Sequence, residues 1–295
     1  MTAAPDAAKG PEAFERSPGY WSTVLRRFFG DRVAVGASLV VLVLVAMAIL
    51  GDLVAPGDPL KSSILSRLKP IGTPGFPLGT DELGRDMLSR LIVGARLSLF
   101  MGITPVACAF VVGATIGIVA GYAGGWLNTV IMRTIDVFYA FPSVLLAIAL
   151  SGALGAGIFN ALLSLTIVFV PPIARVAEAV TTQVRGRDFV EAARASGAGP
   201  LTIVRVHVLG NVLGPVFVYA TSLIAVSMIL ASGLSFLGLG VKPPEPEWGL
   251  MLNTLRTAIY TQPWIAALPG VMIFVTSISF NMLSDGLRSA MDVRT

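Results

Sequence analysis

The chain has 295 residues, of which 55% are apolar and only 13% are charged, and its formal net charge is +4. Because soluble domains carry about 25% charged residues, this composition excludes an ordinary soluble protein and indicates an integral membrane protein. The basic residues flank apolar runs and form no stripe, which argues against nucleic-acid binding.

Long charge-free runs predict an all-α integral membrane protein with about six transmembrane helices. The runs cover 33–51, 97–132, 137–174, 206–241 and 257–284. A helix needs about 20 apolar residues to cross the hydrocarbon core of a bilayer. Most runs therefore supply one crossing each, and the third supplies two if the chain turns near 151–157.

The N-terminal region is predicted over 1–32 as a cytoplasmic tail that ends in a segment on the membrane surface. Residues 1–19 are rich in Ala, Pro, Gly, Glu and Lys and lack an apolar period, which is typical of disorder. Aromatic and basic residues such as Phe29 and Arg32 follow, as in an interfacial helix. The run 33–54 is the first predicted span, and it is too long for the alternative, a signal peptide.

The other predicted regions are an external loop over 55–90 and a core region over 91–295 with five further spans. In chain order these spans cover 91–121, 128–150, 158–180, 212–234 and 263–283. A polar segment over 181–211 separates the fourth span from the fifth, and a second loop over 238–261 precedes the sixth. Six spans place both termini on one side, and the basic residues before the first span favour a cytoplasmic N-terminus.

The second span carries the small residues Gly113, Ala114, Gly117 and Gly121. Small residues permit a neighbouring membrane helix to approach closely. We therefore expect this span to pack tightly against another.

The third span contains a pair of charges and a break. Arg133 and Asp136 lie three residues apart, and Phe141-Pro142 interrupts the pattern further along. On a helix the two charges can neutralise each other, which lowers their cost near the headgroups. Two interpretations stay open: a gate or partner contact, and a paired charge at the membrane surface.

The sequence lacks the patterns that chemistry on a substrate or nucleotide requires. It contains no G-x-S-x-G, no H-E-x-x-H and no P-loop G-x-x-x-x-G-K-[ST]. Cys108 is the only cysteine and His207 the only histidine, which excludes a disulfide within the chain and a His-rich metal site. We expect no catalytic residue, metal or cofactor in this chain, and any nucleotide that drives it must bind another chain.

The stretch 188–215 is the most polar sizeable segment between two apolar ones, and it reads as two short helices. Asp188 and Glu191 fit a capping box that begins the first helix. Gly197 offers the positive φ that ends it, and Pro200 fits the first turn of the second helix.

Two small residues in the first of these helices, Ala192 and Ala193, would let the backbone of a partner approach closely. The alternative is an amphipathic connector that lies on the membrane. On the residues alone, docking of a soluble partner and this connector are about equally favoured.

The sequence E-A-A-R-A-S-G (191–197), followed by H-V-L-G (207–210), resembles the coupling-loop motif of bacterial ABC-importer permeases, E-A-A-x-x-x-G-x9-I-x-L-P. His207 stands where the general motif has Ile, as is common in the peptide-permease branch, and Gly210 stands where Pro is usual. Other stretches resemble the C-type permease subunit of the dipeptide/oligopeptide/nickel family. They cover 77–99, 120–126, 140–143 and 234–249.

This resemblance implies the fold of a type I ABC-importer permease, placed in the cytoplasmic (inner) membrane of a bacterium with both termini in the cytoplasm. The chain would form half of a pathway with a second homologous permease. Two ATPase subunits would bind ATP and Mg and each would receive a coupling loop, while an extracytoplasmic substrate-binding protein would deliver the cargo. The residues that would contact the ATPase are Asp188, Glu191, Ala192, Ala193, Gly197 and Pro200.

Peptides are the cargo that the resemblance implies first, and nickel, glutathione, opines and oligosaccharides are alternatives. A stand-alone secondary carrier would need buried ionisable residues in the spans, which the sequence lacks. An intramembrane enzyme would need a catalytic dyad or a metal set. The sequence does not assign the residues that line the pathway.

Overall fold

The computed structural model describes residues 20–291, and within this range the regular structure is helical. Five helices are long and apolar enough to cross a membrane, and two shorter helices, bent by 86° at a short break, make a sixth when the pair is counted as one span. The prediction of about six transmembrane helices is therefore confirmed. The predicted tail over 1–19 and the last four residues lie outside the described range.

Residues 20–185 form six α-helices. They are α1 (Tyr20–Gly30), α2 (Arg32–Val54), α3 (Met87–Ala123), α4 (Gly125–Tyr139), α5 (Ser143–Leu154) and α6 (Ile158–Arg185). The second half follows with α7 (Asp188–Ala195), α8 (Pro200–Ile203), a π turn (Val204–Val208), α9 (Leu209–Phe236), α10 (Trp248–Thr254) and α11 (Pro263–Met291).

Helix α2 begins at a side-chain cap and runs along the outside of the bundle. The Asp31 carboxylate accepts hydrogen bonds from the backbone N–H groups of Val33 and Ala34, which have no partner within the helix. Large apolar side chains such as Leu42 and Ile49 stay exposed along α2. A helix this apolar with so much exposed surface is one that faces lipid.

The centre of the bundle is the contact between α3 and α6. A Cβ atom on Gly117 would lie 2.4 Å from the carbonyl oxygen of Ala174, and one on Gly121 would lie 2.8 Å from that of Glu178. The two backbones therefore touch where the sequence has glycine. The expectation that this span packs tightly is confirmed.

The segment that precedes α3, predicted as an external loop, is held by buried charges. Arg85 Nε donates to Asp81 Oδ2 at 2.6 Å, and Arg90 Nε lies 3.5 Å from the same oxygen. Asp86 caps α3 through a 2.9 Å hydrogen bond from the Ser89 N–H. Because of this cap, α3 begins at Met87, four residues before the predicted start of the second span.

The third span is broken where the sequence predicts, between Tyr139 and Ser143. Asp136, near the end of α4, forms an ion pair with Arg175 of α6 as well as a longer one, at 3.9 Å, with Arg133. The contact with Arg175 ties the broken span to the central helix.

The polar segment predicted over 181–211 continues the flanking spans as helix at both ends. Helix α6 continues to Arg185, and the helix that begins at Pro200 continues through the π turn to Phe236 as one unit of 37 residues. Polar residues such as Arg205 and His207 therefore mark a helix that extends beyond the apolar run. Helix α11 likewise continues past the predicted end of the sixth span to Met291.

Candidate coupling surface

Helix α7 begins at Asp188 with Arg187 as its N-cap, and no side chain caps it. The predicted capping box is therefore wrong. Asp188 is already inside the helix because the carbonyl of Arg187 accepts the first backbone hydrogen bonds, from Val190 at 2.9 Å and Glu191 at 3.2 Å. Asp188 and Glu191 both lie in the first turn, where a negative charge is favoured by the helix dipole.

The turn at Gly197 is a Schellman motif. Gly197 has φ of +83°, a conformation that favours glycine. Its N–H donates to Arg194 O at 3.0 Å, and the Ala198 N–H donates to Ala193 O at 3.1 Å. The turn predicted at Gly197 is confirmed, and Pro200 occupies the first turn of α8 as predicted.

The two short helices are anchored to the bundle on one side. Val190 of α7 and Ile203 of α8 are fully or almost fully buried in the main hydrophobic core. Ala193 and Ala198 are partly buried against the same core. This anchoring fixes the orientation of α7 relative to the spans.

The other side of the segment is open. Asp188, Glu191, Ala192, Gly197 and Pro200 are all exposed. Two large apolar side chains are exposed beside them: Leu201 with 81% of its surface and Phe189 with 44%. We call the exposed residues of 188–201 the coupling surface.

Charges of both signs surround the coupling surface. Arg187, Arg194 and Arg205 are exposed, as are Asp188 and Glu191. Within residues 20–291 none of these five side chains forms an ion pair. Apolar side chains ringed by unpaired charges are typical of a surface that a protein partner covers.

The coupling surface lies at the end of the bundle where α3 meets α4. The guanidinium of Arg185, at the end of α6, donates to Gly121 O at 3.4 Å, close to this junction. The opposite end of the bundle carries the segment 237–247, whose Leu239 carbonyl accepts from the Gly157 N–H at 3.1 Å. We call these the coupling end and the far end.

At the far end, Glu247 caps α10 and is buried. Its carboxylate accepts 2.8 Å hydrogen bonds from the N–H groups of Gly249 and Leu250, and the Ser98 hydroxyl of α3 lies 3.4 Å away. Burial raises the pKa of Glu247, and the two backbone hydrogen bonds oppose this shift. Sequence reasoning missed this residue because Glu is not among the residues that usually cap the start of a helix.

Two cavities open along the bundle between the coupling end and its middle. One, of about 420 Å³, lies at the break between α4 and α5, and the other, of about 530 Å³, lies between α6, α9 and α11. Tyr219 of α9 lines both. Sequence reasoning did not find these residues because they come from five separate helices.

Within residues 20–291 no three His, Cys, Asp or Glu side chains are grouped so that they could hold a metal ion. Cys108 is exposed.

Two family models match the chain. The family described as "Binding-protein-dependent transport system inner membrane component" covers residues 113–295, and the "N-terminal TM domain of oligopeptide transport permease C" covers residues 19–70. The first of these includes the coupling surface and both cavities.

Curated relatives are similar over almost the whole chain. The glutathione transport system permease protein GsiD of Pectobacterium atrosepticum is 40% identical over 272 residues, which is 92% of this chain and 90% of that protein. The di/tripeptide transport system permease protein DppC of Pseudomonas aeruginosa is 40% identical over 270 residues, 90% of this chain and 89% of that protein.

A solved structure of the MetNI methionine ABC transporter, described as inward facing, has the same fold. The match has a TM-score of 0.58 at 20% identity and covers 69% of this chain and 97% of that chain. The predicted type I permease fold is therefore confirmed. The chain belongs to the family of inner-membrane permease components of binding-protein-dependent transport systems.

Proposed function

We propose that this chain forms half of the translocation pathway of an ATP-driven peptide importer and that its coupling surface docks into an ATPase subunit. The observation that carries the proposal is the coupling surface itself. It is anchored to the core through Val190 and Ile203, it is open on the other side, and it holds unpaired charges around Leu201 and Phe189.

The coupling surface suits a force-transmitting contact because it is packed against the core through Val190 and Ile203 and is joined to the spans at both ends. Helix α6 leads into it through Arg185, and the helix that begins at Pro200 leads out of it without a break to Phe236. A partner that moves α7 would therefore move two spans. Such an element can be biased between two arrangements by a ligand bound on another subunit.

The proposed assembly contains a second homologous permease, two ATPase subunits that bind ATP and Mg, and an extracytoplasmic substrate-binding protein. In this assembly Glu191 keeps α7 in contact with the ATPase. Ala192 and Ala193 allow the ATPase to approach closely, and Gly197 makes the turn after α7. Because the ATPases work in the cytoplasm, the coupling end faces the cytoplasm of a bacterial cell. Both termini then lie in the cytoplasm as well.

The proposed cargo is a short peptide. The relatives are named for glutathione and for di- and tripeptides, and glutathione is itself a tripeptide. Nickel, opines and oligosaccharides are weaker alternatives.

The experiment is reconstitution of the chain with its permease partner, the ATPases and the binding protein in proteoliposomes. We expect peptide uptake that requires ATP and the binding protein. Gly197→Val should lower uptake and ATPase co-purification strongly, because a β-branched residue at φ of +83° is strained.

The matched control is Gly199→Val. Gly199 has φ of −70°, which suits any residue, and a Cβ there meets nothing within 4 Å. Wild-type uptake and co-purification in Gly197→Val would contradict the coupling role. Equal losses in both variants would show that added bulk on the coupling surface, and not strain at Gly197, causes the defect. Uptake by this chain alone, without ATP, would instead support a secondary carrier.

A further inference from the structure

We infer that the groove between α6, α9 and α11 binds the two charged ends of a short peptide, with Asp285 facing its ammonium group and Arg288 facing its carboxylate. The inference rests on the proposed function and names a site for the cargo inside this chain.

The groove has the size and the lining of a ligand site. Its larger cavity, of about 530 Å³, falls within the range of about 300–1,000 Å³ that is typical of small-molecule pockets. Polar groups are present in its wall: the hydroxyls of Tyr219 and Ser222, and the charged side chains of Asp285 and Arg288. Apolar residues such as Val176 supply the rest of the wall.

The groove continues to the middle of the bundle. Tyr219 also lines the cavity of about 420 Å³ at the break in the third span, together with Tyr139 and Phe141. Helix α4 has 15 residues and so reaches about 22 Å from the coupling end before it breaks. The groove therefore leads from the coupling end to about the centre of the membrane.

The break shows that this side of the bundle does not face lipid. Residues 140–142 separate α4 from α5, and the length of α4 puts this break about 22 Å from the coupling end, within the hydrocarbon core. Irregular backbone at this depth is tolerated only where protein covers it or where it lines a water-filled cavity. The groove therefore lies on the side that the second permease and the pathway occupy.

Asp285 and Arg288 are placed to act together. They lie three residues apart on α11 and both line the cavity, yet neither forms an ion pair within residues 20–291. Cβ atoms at this spacing are about 5–6 Å apart on a helix. The ends of an extended dipeptide are about 7 Å apart, so one peptide can reach both charges.

A site with these two charges would recognise the charged termini of a peptide and not its side chains. A carboxylate binds an ammonium group strongly, and a guanidinium binds a carboxylate in a bidentate manner. The rest of the wall offers hydroxyls and apolar surface, with no further charge. A site of this kind would accept peptides of varied sequence provided that both ends are free.

The test uses the assembled transporter in nanodiscs without nucleotide. In a Cys108→Ser background this chain has no other cysteine, so Ser222→Cys places a single thiol on it, in the wall of the cavity. The rate of maleimide labelling of this chain is measured by mass spectrometry. The probes are dialanine and dialanine whose ends are blocked by acetyl and amide groups.

We expect dialanine at twice its Kd to slow labelling about threefold, and blocked dialanine to have no effect. Added Asp285→Asn or Arg288→Gln should remove the protection, whereas Arg288→Lys should keep most of it. Arg32→Gln is the matched control, because it removes an exposed arginine at the start of α2, outside both the cavity and the coupling surface, and protection should be unchanged.

Equal protection by free and blocked dialanine would overturn the inference, as would no protection by either. These results are separate from a failure of the proposed function, which shows as missing ATP-driven uptake in proteoliposomes. If the transporter imports peptides but dialanine does not protect the Ser222→Cys thiol from labelling, only the proposed binding site is refuted.

Discussion

Asp81 Oδ2 serves two arginines at once: it accepts a 2.6 Å hydrogen bond from Arg85 Nε and lies 3.5 Å from Arg90 Nε. All three side chains are almost completely buried. Two positive charges thus share one carboxylate in the segment that precedes α3. Backbone carbonyls provide further support, since Arg90 also donates to Pro59 O at 3.0 Å.

We therefore expect Asp81→Asn to destabilise the protein by about 3–5 kcal/mol, the usual cost when one partner of a buried ion pair is removed. The control is Asp52→Asn, which breaks an exposed pair with Arg96 and should cost no more than about 1 kcal/mol. Thermal unfolding of the detergent-purified chain measures both. Equal losses would show that the buried cluster has no special role.

Replacement of Gly117 by Ala should push α3 and α6 apart at their closest contact. The added Cβ would lie 2.4 Å from Ala174 O and 2.6 Å from Ala177 Cβ, so the helices must shift. Overpacking of this kind costs about 1–3 kcal/mol. Unfolding of the purified chain should therefore occur at a lower temperature.

The control for this change is Gly152→Ala in α5, where a Cβ meets nothing within 4 Å. Because alanine favours a helix more than glycine, this variant should gain up to about 1 kcal/mol. The two substitutions are chemically the same, and opposite signs would show that the helix contact decides the outcome.

The pair Asp136–Arg175 should hold the broken span to α6. We expect Asp136→Asn and Arg175→Gln each to lower thermal stability and the exchanged pair, Asp136→Arg with Arg175→Asp, to recover part of it. A coupling energy of about 0.5–3 kcal/mol is typical of residues in contact. Arg133→Gln is the control, since Arg133 is mostly exposed and 3.9 Å from Asp136, and it should have little effect.

Burial raises the pKa of Glu247, so the folded state favours the protonated carboxyl. The stabilisation from this group is complete below its ordinary pKa of 4.5 and is lost as the pH rises through the higher pKa of the folded state. The stability of the wild type relative to Glu247→Gln should accordingly decrease as the pH rises from 4.5. Unfolding curves at a series of pH values measure this difference, and a difference that is independent of pH would contradict it.

The number of spans could be predicted because apolar length is a direct physical requirement of the bilayer. Their ends could not, since a helix continues wherever backbone hydrogen bonds remain available, whatever the polarity of its side chains. Arg205, Asp285 and Arg288 are polar yet helical, and they extend two spans beyond the apolar runs.

The turn at Gly197 could be predicted because a positive φ favours glycine, whereas the N-cap of α7 could not. Contacts between residues that are distant in the sequence could not be predicted either. Arg133 was visible as a neighbour of Asp136, but Arg175 lies 39 residues away in the chain. The groove residues come from separate helices and share no spacing that a sequence pattern can detect.

The helix that leaves the coupling surface is unbroken from Pro200 to Phe236. At 1.5 Å per residue it is about 55 Å long, and it acts as a lever. A tilt of about 10° at its coupling end would sweep its other end through about 10 Å. That other end contacts the segment with Leu239 and Glu247. A change at the nucleotide can therefore move this segment on the opposite side of the membrane while the helix itself stays unchanged.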